Sequence, residues 1–220
     1  MKKTQLGLSD RNIFLMILAV ALLTASALWL VQPTGAPKAN LAPNRHASML
    51  IYPTPKQLAP FHLVFAGGEK FSADSLIGKW SVLFFGFTNC PDICPTTLSD
   101  MESLRRKFST RDQFPPMQWI FVSVDPERDT AEKLRAYVDF FSKDIRAATG
   151  SIEALTRFSS NLGAVFAKDI STQSPDGYSI QHSGTLFLTD PQGRLVAMIR
   201  PPFDWAKIAT DLPLYFQEAH

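Results

Sequence analysis

Short apolar runs alternate along the chain with apolar residues at helical spacing. Ser81–Phe87 (SVLFFGF) and Trp119–Val124 (WIFVSV) are brief and continuously apolar, which predicts strands covered on both faces. Thr185–Thr189 (TLFLT) and Leu195–Ile199 (LVAMI) flank Asp190-Pro191-Gln192-Gly193, a set of turn residues, and so predict a hairpin. A smaller hairpin is expected where His62–Phe65 and Lys70–Phe71 enclose Ala66-Gly67-Gly68-Glu69. Leu98, Met101, Leu104 and Phe108 recur at helical spacing and predict a helix from Pro95 to Phe108. Asp129 as N-cap, with Glu132 at the capping-box position, opens a second helix with Leu134, Tyr137, Val138 and Phe141 on one face. A third runs from Ser151 to Leu162 with Leu155, Phe158 and Leu162 inward, and a last one starts near Asp204, disturbed by Pro213. The order β-α-β-α-α-β-β-α indicates an α/β sandwich around a mixed sheet.

The N-terminal pattern differs in kind. Ile13–Val31 holds 19 residues without a charge, close to the length that spans a hydrocarbon core. Lys2, Lys3 and Arg11 precede it, which places residues 1–12 in the cytoplasm and the body outside. A cleaved signal peptide ending near Ala25-Ser26-Ala27 is the competing interpretation; the apolar run continuing through Leu28, Trp29, Leu30 and Val31 favours an uncleaved anchor. Residues 32–60 carry Pro33, Pro37, Pro43, Pro53, Pro55 and Pro60, and predict a tether (32–48) and an entry segment to a globular domain at 49–220. Composition fits this layout: the chain is 45% apolar, too rich for disorder. Beyond the N-terminal charges, residues 32–220 carry 19 basic and 19 acidic side chains. Without a basic excess to displace counterions, nucleic-acid binding is excluded.

Both cysteines, Cys90 and Cys94, lie in one strand-to-helix junction, Phe87-Thr88-Asn89-Cys90-Pro91-Asp92-Ile93-Cys94-Pro95. They close too small a loop to staple a fold, so a chemical role is expected. Each precedes a proline, which disfavours helical backbone and predicts a tight loop with Cys94 at the cap and Pro95 opening the helix. A thiol there meets unpaired N–H groups and the positive end of the helix dipole, which favours thiolate, either as nucleophile or as metal ligand. Three intervening residues give a metal-ligand spacing wider than a redox C-x-x-C.

Of four histidines, His46 lies in the tether, His220 is the last residue and His62 falls on the first hairpin. His182, in a loop just before Thr185–Thr189, is the candidate third ligand at a neighbouring strand end. Two thiolates and an imidazole suit Cu(I), whereas Zn(II) would normally add a fourth ligand. The six methionines are scattered and suggest no thioether site.

Three segments, FTNCPDICP (87–95), SVDPERDT (123–130) and IQHSGTLFLTDPQGRLV (180–196), resemble the Sco/SenC family of copper-delivery proteins. The resemblance spans most of residues 60–220. It implies a thioredoxin-like mixed sheet flanked by helices, with Cys90, Cys94 and His182 as copper ligands. It further implies delivery of copper to the copper A centre of cytochrome c oxidase, with that subunit as partner, and identifies no copper donor. With the anchor, it implies an inner-membrane single-pass protein with its domain in the periplasm, or the equivalent outer compartment of an organelle. Asn89 departs from the family, many of whose members carry His there. His182 and Ser183 also stand where thioredoxins place a cis-proline, which favours metal binding over disulfide exchange. Asp125 and Arg128 read as turn and cap chemistry; Asp92 is placed to tune the site by charge or to approach Cu(II).

Two other functions compete with delivery. One is a thiol–disulfide oxidoreductase that reduces an acceptor's cysteines through Cys90 and Cys94 or acts in redox signalling, for which His182 would matter little. The other is a Cys2His zinc hydrolase, for which Asp92 is a poor general base.

Overall fold

The computed structural model describes residues 48–109, 114–170 and 177–218, with 15, 18–20, 22 and 24 near the N-terminus. Two compact units are distinguished, Met1–Pro43 and Asn44–His220. In the first, the described positions are helical and exposed. The expected anchor at 13–31 falls largely outside the described residues, among which no helix is long and apolar enough to cross a membrane. The tether at 32–48, His46 and His220 lie almost wholly outside them as well.

The second unit is built on an eight-stranded mixed sheet in the order β1-β10-β9-β4-β5-β6-β2-β3. The strands are β1 (Leu50–Gln57), β2 (Leu63–Phe65), β3 (Lys70–Phe71), β4 (Trp80–Gly86), β5 (Met117–Ser123), β6 (Ile145–Thr149), β9 (Leu186–Thr189) and β10 (Arg194–Ile199). A separate two-stranded sheet pairs β7 (Phe166–Asp169) with β8 (Ser179–His182). The helices are α1 (Ile93–Ser109), α2 (Ala131–Phe141), α3 (Ile152–Leu162) and α4 (Trp205–Glu218). This is the thioredoxin-like α/β arrangement expected, with the β2–β3 hairpin in its predicted place.

The central strands follow from their sequences. β4 is buried at every position, and it pairs in parallel with β5 and antiparallel with β9. That explains why its apolar run is unbroken rather than alternating. Leu155, Phe158 and Leu162 of α3 are fully buried, as their spacing requires.

Several expectations are corrected. The proline-rich entry segment contains β1, an edge strand on β10 whose register shifts between Ile51 and Lys56, around Pro53 and Pro55. Proline donates no ladder hydrogen bond, and an edge is where that is tolerated. β6, rich in alanine, was not predicted, yet it pairs in parallel with β5 between α2 and α3. The N-cap of α2 is Thr130, whose side chain accepts from the Lys133 N–H, and Asp129 is instead a buried carboxylate. The last helix holds Pro213 in its interior and still runs to Glu218, with Ile208, Leu212 and Phe216 burying the face on both sides of the proline.

Candidate metal centre

Strand β4 delivers the chain to the site. Its last residue, Gly86, has no side chain where a Cβ would come within 2.6 Å of Cys94 Sγ and 2.7 Å of the Phe121 ring. The chain then turns, with the Cys90 N–H donating to the Phe87 carbonyl at 3.2 Å. Helix α1 begins at Ile93, and the Asp92 carbonyl accepts the first helical bond from Thr96 N–H. Cys94 therefore lies inside the first turn, fully buried, and is not the cap. The helix tolerates Pro95 because the N–H groups of its first turn have no helical partners to lose.

The roles of the two thiols are correspondingly reversed from the expectation. Cys90, at the mouth of the loop, is the acidic one, lowered from 9.0 to about 4. The Cys94 thiol donating to it is the main cause; burial opposes the shift, and His182 and the N–H groups of Cys94 and Asp92 reinforce it. Cys94 is pushed upward, first as the donor in that bond, then by burial and by the Cys90 charge. Both cysteines are free, and their shifts run in opposite directions, Cys90 towards thiolate and Cys94 towards thiol.

His182 is brought to the sulfurs by β8, as its last residue rather than as part of a loop. It pairs across the hairpin with Phe166, and its ring packs edge-on against Phe84 and Phe87, with centroids 6.1 and 5.9 Å away. Nδ1 lies 3.4 Å from the Ser183 carbonyl, which can only accept. Nε2 is thus the atom turned to the sulfurs, 3.5 Å from Cys94 Sγ. One ligand atom from each of Cys90, Cys94 and His182 lies within 4.8 Å of the other two. Metal bonds of about 2.0–2.3 Å put two ligands of one ion no more than about 4.6 Å apart, so the set is nearly closed on an ion. Two sulfurs and one imidazole nitrogen are a soft donor set that fits copper.

The remaining candidates lie elsewhere. His62 is exposed on the approach to β2, and Asp92 is exposed at the start of α1. Asn89 turns towards α2, its Oδ1 accepting from Lys133 Nζ. Sequence reasoning missed the Asp129 carboxylate, which accepts from Thr88 N–H at 2.9 Å, Ser123 Oγ at 2.6 Å and the Thr88 hydroxyl. These bonds pin the residues leading to Cys90 to the end of β5. The segment SVDPERDT contains Asp129 and its partner Ser123, while Thr88 lies in FTNCPDICP; Asp129 reads as a helix cap because it stands directly before a helix.

Comparison with known proteins identifies the family. A family model described as SCO1/SenC matches residues 52–217. A candidate copper-binding protein of Stutzerimonas stutzeri is 38% identical over 169 residues, covering 76% of this chain and 80% of the relative. The SCO2-like protein of Rickettsia prowazekii is 32% identical, covering 83% of this chain and 87% of its own length. Among solved structures, Arabidopsis thaliana ScoI with copper bound superposes with a TM-score of 0.68 at 28% identity, over 73% of this chain and 98% of that one. The chain belongs to the SCO1/SenC family.

Proposed function

We propose that this chain carries copper as cargo, held between the thiolates of Cys90 and Cys94 and Nε2 of His182, and delivers it to the copper A centre of cytochrome c oxidase. The observation that carries the proposal is the convergence of those three atoms within 4.8 Å, from residues 88 positions apart in sequence. Three ligands leave the ion open to a fourth, so an acceptor's cysteine or histidine can join before any ligand of this chain leaves. Stepwise exchange of that kind favours transfer, whereas a closed four-ligand cage would retain the metal. The Cys90 thiol, lowered to about 4, yields its proton readily, and the Cys94 thiol, pushed upward, is the one whose proton the metal must displace on loading. Cu(I) matches the soft pair of sulfurs, and Cu(II) is the second state the site would admit.

The membrane anchor and the outer-compartment location belong to the same proposal. They are supported by the charge-free run Ile13–Val31 and by the lysines and arginine that precede it. A membrane-impermeant thiol reagent should reach Cys90 in spheroplasts with an intact inner membrane; protection until lysis would reject that orientation.

A second role, reduction of the acceptor's disulfide, is favoured by the unequal protonation of the two free cysteines. The Cys90 thiolate would attack one acceptor sulfur and release the other as thiolate. Cys94 would then attack Cys90, leaving a Cys90–Cys94 disulfide and a reduced acceptor. The two roles separate at His182. Loaded anaerobically with Cu(I), the reduced chain should bind one ion, lose it in Cys90→Ser and Cys94→Ser, and hold it less tightly in His182→Ala. Retention in all three would reject the copper role, while disulfide exchange surviving in His182→Ala would leave the reductase role standing.

A further inference from the structure

The hairpin that carries His182 stands outside the eight-stranded sheet, and its loop end, opposite His182, is gripped by residues the metal chemistry does not use. Tyr178 immediately precedes β8. Its hydroxyl donates to Asp125 Oδ1 at 2.7 Å, and its carbonyl accepts from an Arg128 guanidinium nitrogen at 3.0 Å. Arg128 Nε donates to Asp125 Oδ2 at 2.6 Å, and the guanidinium lies 3.6 Å from the centre of the Tyr178 ring. On the facing strand, Lys168 Nζ sits 3.8 Å from the same ring and bonds Glu127 Oε2 at 2.7 Å. Asp125 is itself fixed to the end of β5, its N–H donating to Ser123 Oγ at 3.1 Å. The cluster thus joins the segment after β5 to both strands of the hairpin.

Its parts are not equal. Glu127 and Lys168 are 67% and 42% exposed at the side chain, so solvent and salt screen that pair. Asp125 and Arg128 are 2% and 15% exposed, and charge-assisted bonds and cation–π contacts are strongest when desolvated. Burial and the Asp125 carboxylate push the Tyr178 phenol upward, so it remains a donor through the physiological range. A two-stranded sheet has marginal stability by itself, so its position depends on such ties. A second path runs through Phe87, whose ring lies 5.8 Å from the Arg128 guanidinium and packs edge-on against His182.

We propose that Tyr178 and Arg128 are positioning residues that clamp the β7–β8 hairpin to the end of β5 and thereby hold the His182 imidazole over the two sulfurs, an assignment that rests on the copper-binding role proposed above. Breaking the clamp leaves all three ligands present but lets the imidazole drift from the sulfurs. Ligand exchange then starts from a site held by two sulfurs, and cargo leaves faster.

The test uses the full chain loaded with Cu(I) and a competing chelator to follow copper loss. Tyr178→Ala and Arg128→Met should each speed loss about tenfold, the lower end of what removing a supporting residue costs a metal site. Tyr178→Phe, which keeps the ring and the backbone carbonyl, should remain nearer the parent. In a His182→Ala background, Tyr178→Ala should add nothing, because two changes acting through one residue do not sum. In the metal-free chain, Tyr178→Ala should speed hydrogen exchange at the Ser183 N–H, which donates to the Val165 carbonyl, without changing exchange in β4. Should Arg128→Met fail to fold, the Tyr178 variants carry the test. Equal acceleration in the presence and absence of His182, or unchanged copper loss in Tyr178→Ala while His182→Ala loses copper, overturns the clamp. If His182→Ala retains copper like the parent, the three-ligand site proposed above fails and the exchange measurement decides: faster exchange at Ser183 supports the clamp, unchanged exchange overturns it.

Discussion

The cysteine side of the site and the histidine side are supported in different ways. Cys94 is sealed in the first turn of α1 against Gly86 and Phe121, and the approach to Cys90 is bonded to a buried carboxylate. His182 is half-buried at the end of a two-stranded sheet and keeps its place through one backbone bond of its neighbour Ser183, two aromatic edges and the Tyr178 cluster. The difference places precision in the sulfur pair and adjustability in the imidazole. For a carrier, that division is useful: the thiols define which ion is held, and the histidine can yield to an acceptor.

Four perturbations sharpen or break this contrast. The largest effect belongs to the ligands: Cys94→Ser should weaken copper retention by more than about 100-fold, beyond what loss of a supporting residue costs, with His182→Ala milder. A competition titration against a chelator checks it, and equal losses would erase the distinction between the two sides. Next come two glycines, one on each side, where an added Cβ would meet a neighbour at 2.6 Å. At Gly86 the neighbours are Cys94 Sγ and the Phe121 ring, both buried, so Gly86→Ala should cost about 1–3 kcal/mol by overpacking. At Gly184 the close neighbour is Ile93 Cδ1, the free end of a flexible side chain, so Gly184→Ala should cost less. Thermal unfolding resolves the two, at about 2–4 °C per kcal/mol for a domain of this size.

Thiol reactivity is the third. Cys90, lowered to about 4, is thiolate above that value and thiol below it. Alkylation of the metal-free chain should therefore modify Cys90 first, at a rate level between about pH 6 and 8 and falling only as the solution approaches pH 4. A rate that climbs tenfold per unit up to pH 8 would show an ordinary thiol. The smallest effect is expected at Lys168, whose ion pair is exposed: Lys168→Ala should change stability by less than about 1 kcal/mol. A large destabilisation there would mean that the rim, not the buried Asp125–Arg128 pair, holds the hairpin.

Much of the sulfur side was legible because its signals are local. A continuous apolar run, a paired Cys-Pro and a helix-spaced apolar face fall within residues 81–108 and specify strand, turn and helix in order. The protonation pattern was not legible. Assigning the acidic thiol to Cys94 assumed that it caps α1, whereas the helix starts earlier and aims its N–H groups at Cys90. On the histidine side, His182 stood out as a candidate partner for the dithiol, but its supports did not. β7 and β8 have few apolar residues because only Ile180 among their eight positions is buried, and Tyr178 meets Asp125 across 53 positions. β6 was hidden for a related reason: alanines suffice where neighbouring strands and α2 supply the bulk.

The central claim is that the two sulfurs and the late imidazole bind one ion together. X-ray absorption on the Cu(I)-loaded chain and on its His182→Ala variant counts those neighbours directly. The account predicts two sulfurs and one nitrogen around copper in the parent, and two sulfurs without the imidazole signature in the variant. An imidazole signature unchanged in His182→Ala would contradict it.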